Sequence, residues 1–403
     1  MIGVGIMLQE QIIDKLIQPI VNRQELMNTI VLEMLASKIG EIGQLSIEDL
    51  DQFQYMTTLG IDIQKLNRQL SMLSTLQITA IKNLIDTIAM DAYTDAETLY
   101  DYRQQVYLPY EQNQQVQQLV TTIGNNVSET YKKLTESKRI GFLIRDQKNP
   151  LNLKFHTIND TYKSVVNEAI QTMQSDLDYH TVMRRTLNHL VNSGVRKMFR
   201  NGRYSQKLTT IVKQDLLNGV RDIQQAVEDV IAEELETDGK ELSVHANSAL
   251  DHEPFQGHQF TNEEWEKLQN SEDFQDVAGE SFSGVERIIG IWNCRHIAKS
   301  IFVGITKPQY TKEQLQKLIE DNHKGHILSN GTHLTLYECT QMQRQLENRI
   351  RLAKDEEIVL RKAGDSVGAN IAKQKAKNLM QEYTRFSNEC GLLIHKDRIV
   401  VTI

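Results

Sequence analysis

The sequence predicts a mainly α-helical protein of long helices and helical hairpins, with a small α+β insert near residues 240–310 and a C-terminal strand. Apolar residues recur at spacings of three and four along most of the chain, which is the period of a helix. Prolines, which interrupt helices, number only five among 403 residues. A period of two is found in the insert, where Leu242 and Val244 alternate with Ser243 and His245.

An N-terminal helical region is predicted to span residues 1–139. Ser46 and Asp49 form a capping-box pattern, in which a hydroxyl and a carboxylate three residues later bind free N–H groups at the start of a helix. A helix is therefore expected to begin there, and the segment Thr94–Glu97 has the same pattern. Between these two starts, one helical face is expected to carry Leu66, Leu70, Leu73, Ile81, Leu84 and Ile88.

Charge is distributed unevenly along the chain, whose net charge is −8. Lys and Arg outnumber Asp and Glu by 15 to 6 in residues 138–221, whereas they number 9 against 17 before this segment and 21 against 30 after it. The acidic total argues against a protein that coats DNA over its whole surface. The basic middle is expected either to face nucleic acid or an acidic protein surface, or to compensate its acidic neighbours within the molecule.

A basic helical region is predicted to span residues 140–240. Its start is marked by Pro150 and by a lapse of the helical period. One of its helices is expected to run through a basic cluster and to end at Gly202. This cluster supplies the predicted contacts with nucleic acid or another acidic partner: Arg196, Lys197, Arg200 and Arg203.

A small α+β domain is predicted over residues 241–335, and a C-terminal region of long helices with a terminal strand over residues 336–403. Within the first, Arg287–Trp292 is a β-branched run, and Thr311 and Gln314 form a capping-box pattern that predicts a helix start. The run Arg398–Ile403 predicts the last strand. A four-three alternation predicts a helical hairpin or a coiled-coil seam along Ala372, Ala376, Leu379, Tyr383 and Phe386.

Residue types that bind metals are grouped in the insert, at His245, His258, Cys294 and His296. Imidazole nitrogens and a thiolate suit zinc, which takes four such ligands in a tetrahedron. The alternative is that the histidines form hydrogen bonds in a small polar core, while Cys294 packs as a small apolar group. No cofactor is expected, and any zinc held by these four side chains is expected to be structural.

The three cysteines include no Cys-x-x-Cys pair and form no even-numbered set, which is typical of a protein made in a reducing cytoplasm. No window approaches the roughly 18 apolar residues of a membrane span, and the apolar N-terminus has no basic leader. We therefore expect neither membrane insertion nor secretion by a standard signal. Asp251 and His252 match a doublet of ββα-metal nucleases, but the Asn and His pair of that motif does not follow.

The most specific motif of the chain is the segment Trp292–His296, which has the sequence Trp-Asn-Cys-Arg-His. Six further short motifs are spread over most of residues 100–400: Asp178–Tyr179, Leu217–Val220, Ser243–Ala246, Gly257–Phe260, Tyr337–Glu347 and Tyr383–Leu392. On these motifs the chain resembles the phage minor capsid protein family, which is akin to the minor head proteins of phage Mu type. The α+β domain is then expected to be the minor-head-like part.

The resemblance implies a structural protein of the virion, without enzymatic activity and present in several copies. It implies attachment at the portal vertex, inside or beside the head, and a part in head assembly, DNA packaging or ejection. The implied partners are the portal protein, the major capsid or scaffolding protein and the packaged viral DNA, with no membrane. The alternatives are a metal-dependent enzyme that acts on nucleic acid or is delivered with the genome, and a helical adaptor of the host.

Overall fold

The computed structural model describes residues 2–135, 139–145, 152–199, 204–245, 247–248, 253–269 and 296–401. The predicted mainly α class with a small α+β element is confirmed. The helices are α1 (Ile2–Ile42), α2 (Leu50–Thr58), α3 (Ile61–Asp95), α4 (Glu97–Arg103), α5 (Gln114–Thr135), α6 (Ile158–Met173), α7 (Tyr179–Ser193), α8 (Leu208–Leu235), α9 (Asn262–Gln269), α10 (Lys312–Lys324), α11 (Leu336–Lys362) and α12 (Ser366–Glu389).

The strands are short and antiparallel wherever they pair. They are β1 (Ile140–Arg145), β2 (Leu153–Thr157), β3 (Arg196–Phe199), β4 (Tyr204–Lys207), β5 (Gly239–Leu242), β6 (Gln259–Thr261), β7 (Ala298–Ile301), β8 (His326–Ile327) and β9 (His333–Leu334). One sheet has the order β2-β1-β3-β4, a second has the order β6-β5-β7, and β8 pairs with β9.

The chain forms two compact units, each assembled from three separate stretches of sequence. The first unit comprises residues 1–17, 78–131 and 213–340, and the second comprises residues 18–77, 132–212 and 341–403. The α+β domain predicted over residues 241–335 lies within the first unit. The four-part division of the chain stays a prediction.

The first unit contains the sheet β6-β5-β7, which we call the small sheet. Leu242, Trp265 and Ala298 form its buried apolar core, and Phe255 and Phe260 pack against them. A tyrosine cluster lies at the turn between α3 and α5, where the rings of Tyr93, Tyr100, Tyr107 and Tyr110 contact one another. Aromatic area therefore fills the corner between helices of this unit.

The second unit contains the four-stranded sheet, and α6 and α7 both contact β1. Helices α11 and α12 follow each other as a hairpin, joined at Gly364. The seam predicted for α12 is buried along its whole length: Ala372, Ala376, Leu379, Tyr383 and Phe386. The helical hairpin predicted from the four-three alternation is thus present.

The helix predicted to end at Gly202 ends earlier. Helix α7 stops at Ser193, and Gly194 follows with a φ of 59°, a conformation that glycine adopts without strain. The basic cluster then begins in β3, which pairs with β4 in an antiparallel hairpin. A four-stranded sheet in the predicted basic helical region was not anticipated from the sequence.

The predicted C-terminal strand is wrong over its described part, residues 398–401. A 3-10 helix spans Lys396–Ile399 instead. Side chains of α11 bind the carbonyl groups that a strand partner would need, because Arg351 donates to the oxygen of Arg398 (2.8 Å) and Lys354 donates to that of Ile399 (2.7 Å). Residues 402–403 lie outside the described residues.

The three predicted helix starts differ in outcome. The Thr311 and Gln314 side chains form both hydrogen bonds of a capping box at α10. Ser46 instead donates to Asp49 (2.6 Å), and a 3-10 turn separates it from α2. Thr94 lies inside α3, where its hydroxyl donates to the carbonyl of Met90. No helix among the described residues has the length and apolarity that crossing a membrane requires.

Asp365 is expected to stabilise the second unit through two interactions. Its carboxylate caps α12 by accepting the Gly368 N–H (2.8 Å), and it pairs with the guanidinium of Arg184 through two hydrogen bonds (2.5 and 2.9 Å). Asp365→Ala is expected to lower the free energy of unfolding by about 2 kcal/mol in urea denaturation. Asp365→Asn keeps an acceptor for the Gly368 N–H and should lower the free energy of unfolding by less than Asp365→Ala does. Equal losses would contradict a role for the cap.

Candidate functional site

The small sheet is attached to α8 by hydrogen bonds along one edge of β7. Glu228 accepts the Ser300 N–H (2.7 Å), and its backbone oxygen accepts the Ser300 hydroxyl (2.9 Å). Gln225, three residues earlier on the same helix face, accepts the Ala298 N–H (3.0 Å). These two side chains take the place of a further strand, so this edge of the sheet is closed by a helix.

Glu228 is buried with this edge, and burial raises the pKa of its carboxyl above the ordinary 4.5. The hydrogen bond from Ser300 acts in the opposite direction, as do the nearby ammonium groups of Lys299 and Lys240. A buried carboxylate is costly unless its oxygens are bound. Burial outweighs these groups, so the ionised carboxylate is less favourable here than it is in water.

Two more carboxylates fix the loop that follows β7. Glu241, buried within β5, accepts the Gln309 N–H (2.9 Å) and the side-chain amide of Gln259 (2.7 Å). Asp238, just before β5, accepts the Val303 N–H (2.7 Å). Acidic side chains thus bind backbone groups that no strand or helix satisfies.

Two of the four predicted metal ligands meet in the structure. The rings of His245 and His296 contact edge to face, with centroids 4.3 Å apart. The buried Gln256 contacts both residues. Its Oε1 accepts the backbone N–H of His245 (2.9 Å) and lies 3.4 Å from Nε2 of His296. An amide oxygen only accepts, so this contact requires the proton on Nε2 of His296.

The other two predicted ligands are not brought to this pair by the described part of the chain. His258 is exposed, and its ring lies near that of Phe260 (6.3 Å between centroids). Cys294 lies outside the described residues, as does the run Arg287–Trp292. Within the ranges that the structure describes, no three or more His, Cys, Asp or Glu side chains are grouped to hold a metal ion. The zinc site stays a prediction.

A second polar cluster was missed by sequence reasoning. Asn322, fully buried on α10, donates to Glu253 (2.6 Å) and to the carbonyl of Ser248 (3.2 Å), and it accepts the Tyr337 N–H (3.0 Å). The neighbouring His323 donates to the other oxygen of Glu253 (2.7 Å). A carboxylate and imidazole pair can act as a general base. Here both carboxylate oxygens are held by α10, so the pair joins that helix to the loop before β6.

Arg196 and Lys197, the described residues of the basic cluster, donate hydrogen bonds to other residues of the second unit. Arg196, partly buried, donates from its guanidinium to the hydroxyl and the carbonyl of Ser205 on β4 (3.0 and 2.9 Å). Lys197 is buried and donates to the carbonyl of Lys133. Arg200 and Arg203 lie outside the described residues. The contact of this cluster with nucleic acid or an acidic protein stays a prediction.

The buried polar side chains described above hydrogen-bond within their own chain, as they do in most folded proteins. The model of the family described as phage minor capsid protein 2 matches residues 8–388, and the chain belongs to this family. The family inferred from the motifs of the sequence is confirmed. No curated protein and no solved structure is significantly similar to the chain. The protein is thus a phage minor capsid protein and a component of the virion.

Glu228 provides a test of the edge of β7. Its pKa is raised in the folded state, so the folded protein binds more protons than the unfolded chain above pH 4.5, and stability falls as the pH rises. We expect Glu228→Gln, which keeps an acceptor, to be at least as stable as the wild type at pH 7 and to lose this advantage as the pH falls towards 4.5.

The matched variant Glu228→Ala leaves the Ser300 N–H without its acceptor. We expect a loss of about 2 kcal/mol relative to the wild type in urea denaturation near pH 4.5, and a smaller loss at higher pH, because only the wild type is destabilised by ionisation of the buried carboxyl. A difference between wild type and Glu228→Gln that does not change with pH would show that burial does not shift this carboxyl. A stable Glu228→Ala variant would show that the edge finds another acceptor.

The histidine pair allows a test of the zinc prediction. Because Gln256 already binds Nε2 of His296, we expect the chain to fold without a metal. Protein purified without chelator should hold less than one zinc per chain, and a chelator should leave its melting temperature unchanged. One zinc per chain, with a melting temperature that falls on chelation and again in His296→Ala, would establish a structural site.

Proposed function

We propose that the protein is attached at the portal vertex of a phage, inside or beside the head, and that it aids head assembly, DNA packaging or ejection as a structural protein. The observation that carries the proposal is the family match over residues 8–388, which makes the chain a minor capsid protein. A minor component, which we expect in several copies per virion, fits a single vertex better than a shell built from many copies of the major capsid protein. The portal protein is the proposed main partner.

The distribution of charge supports a position near the packaged genome. The net charge is −8, although residues 138–221 carry 15 Lys and Arg against 6 Asp and Glu. An acidic total keeps a protein from binding DNA nonspecifically along its whole surface. Although Arg196 and Lys197 bind within the second unit, the other basic side chains of this segment would allow local contact with viral DNA. Contact with the major capsid or scaffolding protein belongs to the same proposal.

The polar chemistry of the first unit supports a structural role. Glu228 and Glu241 are buried, and their oxygens accept hydrogen bonds from backbone N–H groups. Asn322 uses its amide in three hydrogen bonds within the chain. Groups used in this way hold the fold together. We propose no reaction for this chain.

The proposal is tested by deleting the gene from the phage and complementing it. We expect wild-type particles to contain several copies per virion, with density at the portal vertex in an electron cryomicroscopy map, and complemented particles to regain both. Particles made without the gene should lack that density and should not be infectious.

Two outcomes would contradict the proposal. Complete and infectious virions without the protein would exclude a part in assembly, packaging or ejection. Density spread over the whole shell would exclude attachment at the portal vertex. The portal protein itself, quantified in the same particles, serves as the internal control for head number.

A further inference from the structure

Exposed apolar side chains are concentrated in one part of the second unit, residues 47–76. This stretch contains the 3-10 turn before α2, all of α2 and the first half of α3. Large exposed apolar residues that stand singly are normal on a protein surface, whereas a concentration of them marks an interaction site. Seven occur here: Ile47, Tyr55, Met56, Leu59, Ile61, Met72 and Leu76.

Helix α2 presents three of these side chains on one face. Tyr55, Met56 and Leu59 follow at spacings of one, three and four, so they lie side by side along the outer surface of the helix and its C-cap. Their side chains are 66%, 51% and 46% exposed. The spacings of four and three that separate Leu59 from Tyr55 and from Met56 are those of the anchors in helix-in-groove recognition. We call these three residues the α2 stripe.

The opposite face of α2 is held in place by its own unit. Leu50 is fully buried, and the ammonium of Lys38 lies 5.6 Å from the centre of the Phe53 ring. At the start of α3, Asp62 accepts the hydroxyl of Tyr162 (3.0 Å) and pairs with Lys38 (3.2 Å). The α2 stripe is therefore presented by a helix whose inner side is already packed, so a partner need not order it first.

The charge around the stripe selects the partner. Residues 39–64 contain five carboxylates and no Lys or Arg. Glu41 and Asp62 pair with Lys38 (2.7 and 3.2 Å), which leaves the carboxylates of Glu48, Asp49 and Asp51 at the start of α2 to attract a basic partner. Nucleic acid and anionic lipid are repelled by such a surface. A second copy docked through the same face would bring two stretches of equal charge together, which is also unfavourable.

We propose that the α2 stripe docks a basic amphipathic segment of another protein, which lays its apolar side chains against Tyr55, Met56 and Leu59 and its Lys or Arg side chains against the surrounding carboxylates. The α2 stripe supplies aromatic and methionine area, which is enriched at the centres of interfaces. The carboxylates supply attraction and orientation. The inference does not depend on attachment at the portal, because it concerns only the chemistry of the partner segment.

The first experiment uses the full chain and two synthetic 18-residue helical peptides, one with a Leu face and a Lys face and one with a Leu face and a Glu face. We expect titration calorimetry to show binding of the Lys peptide at least tenfold tighter than binding of the Glu peptide. The triple variant Tyr55→Ser, Met56→Ser, Leu59→Ser should weaken binding of the Lys peptide at least tenfold.

Two further variants complete this experiment. The matched control Val367→Ser, Ile371→Ser changes two equally exposed apolar residues on α12 and should leave binding unchanged. Glu48→Lys, Asp51→Lys should reverse the preference between the peptides. Equal binding of both peptides, no binding of either, or a triple variant that folds and binds like the wild type would each overturn the proposal.

The second experiment uses assembled phage particles. A photo-crosslinking amino acid is placed at Met56, and the same group at Ile371 serves as the control position. We expect Met56 to crosslink to a protein segment with net positive charge and apolar residues at helical spacing, identified by peptide mass spectrometry. Crosslinks to DNA, to a second copy of the chain or to an acidic segment, or no crosslink at all, would overturn the proposal.

Discussion

The first unit depends on one requirement, which is that the backbone N–H groups along the edge of β7 must be hydrogen-bonded once the edge is buried. Glu228 and Gln225 of α8 meet this requirement for Ser300 and Ala298. Glu241 does the same for the loop that carries Gln309. Three carboxylates of this unit, those of Glu228, Asp238 and Glu241, thus accept from backbone donors that have no strand or helix partner.

The helices could be predicted from the sequence because the signal for each lies within the element itself. The buried seam of α12 follows directly from a four-three alternation, and the start of α10 follows from Thr311 and Gln314. The four-stranded sheet could not be predicted in this way. Strand β3 has four residues, two of them basic, and its neighbour β1 lies more than fifty residues earlier in the chain. The prediction of a strand at residues 398–403 failed for a related reason. Side chains of α11, which are distant in sequence, bind the backbone carbonyl groups of Arg398 and Ile399.

The candidate site was predicted in part. His245 and His296 are about fifty residues apart in sequence, and the structure brings their rings into contact. The motif pattern had placed both in one compact segment, although it gave no sign that Gln256 binds them. The cluster of Glu253, Asn322 and His323 joins residues about seventy positions apart and has no local period or motif. Contacts of this kind arise from tertiary packing, so only the folded chain shows them. Family membership, in contrast, was accessible from short motifs alone.

The interleaving of the two units along the chain has a consequence for synthesis. The first unit needs residues from its N-terminal stretch, from its middle stretch and from residues 213–340, and the second needs its final stretch, residues 341–403. Domains usually fold as they leave the ribosome, beginning at the N-terminus. Here neither unit has all its parts until most of the polypeptide has been translated. The first unit can therefore be complete only after residues 213–340 have left the ribosome, and the second only after residues 341–403 have followed.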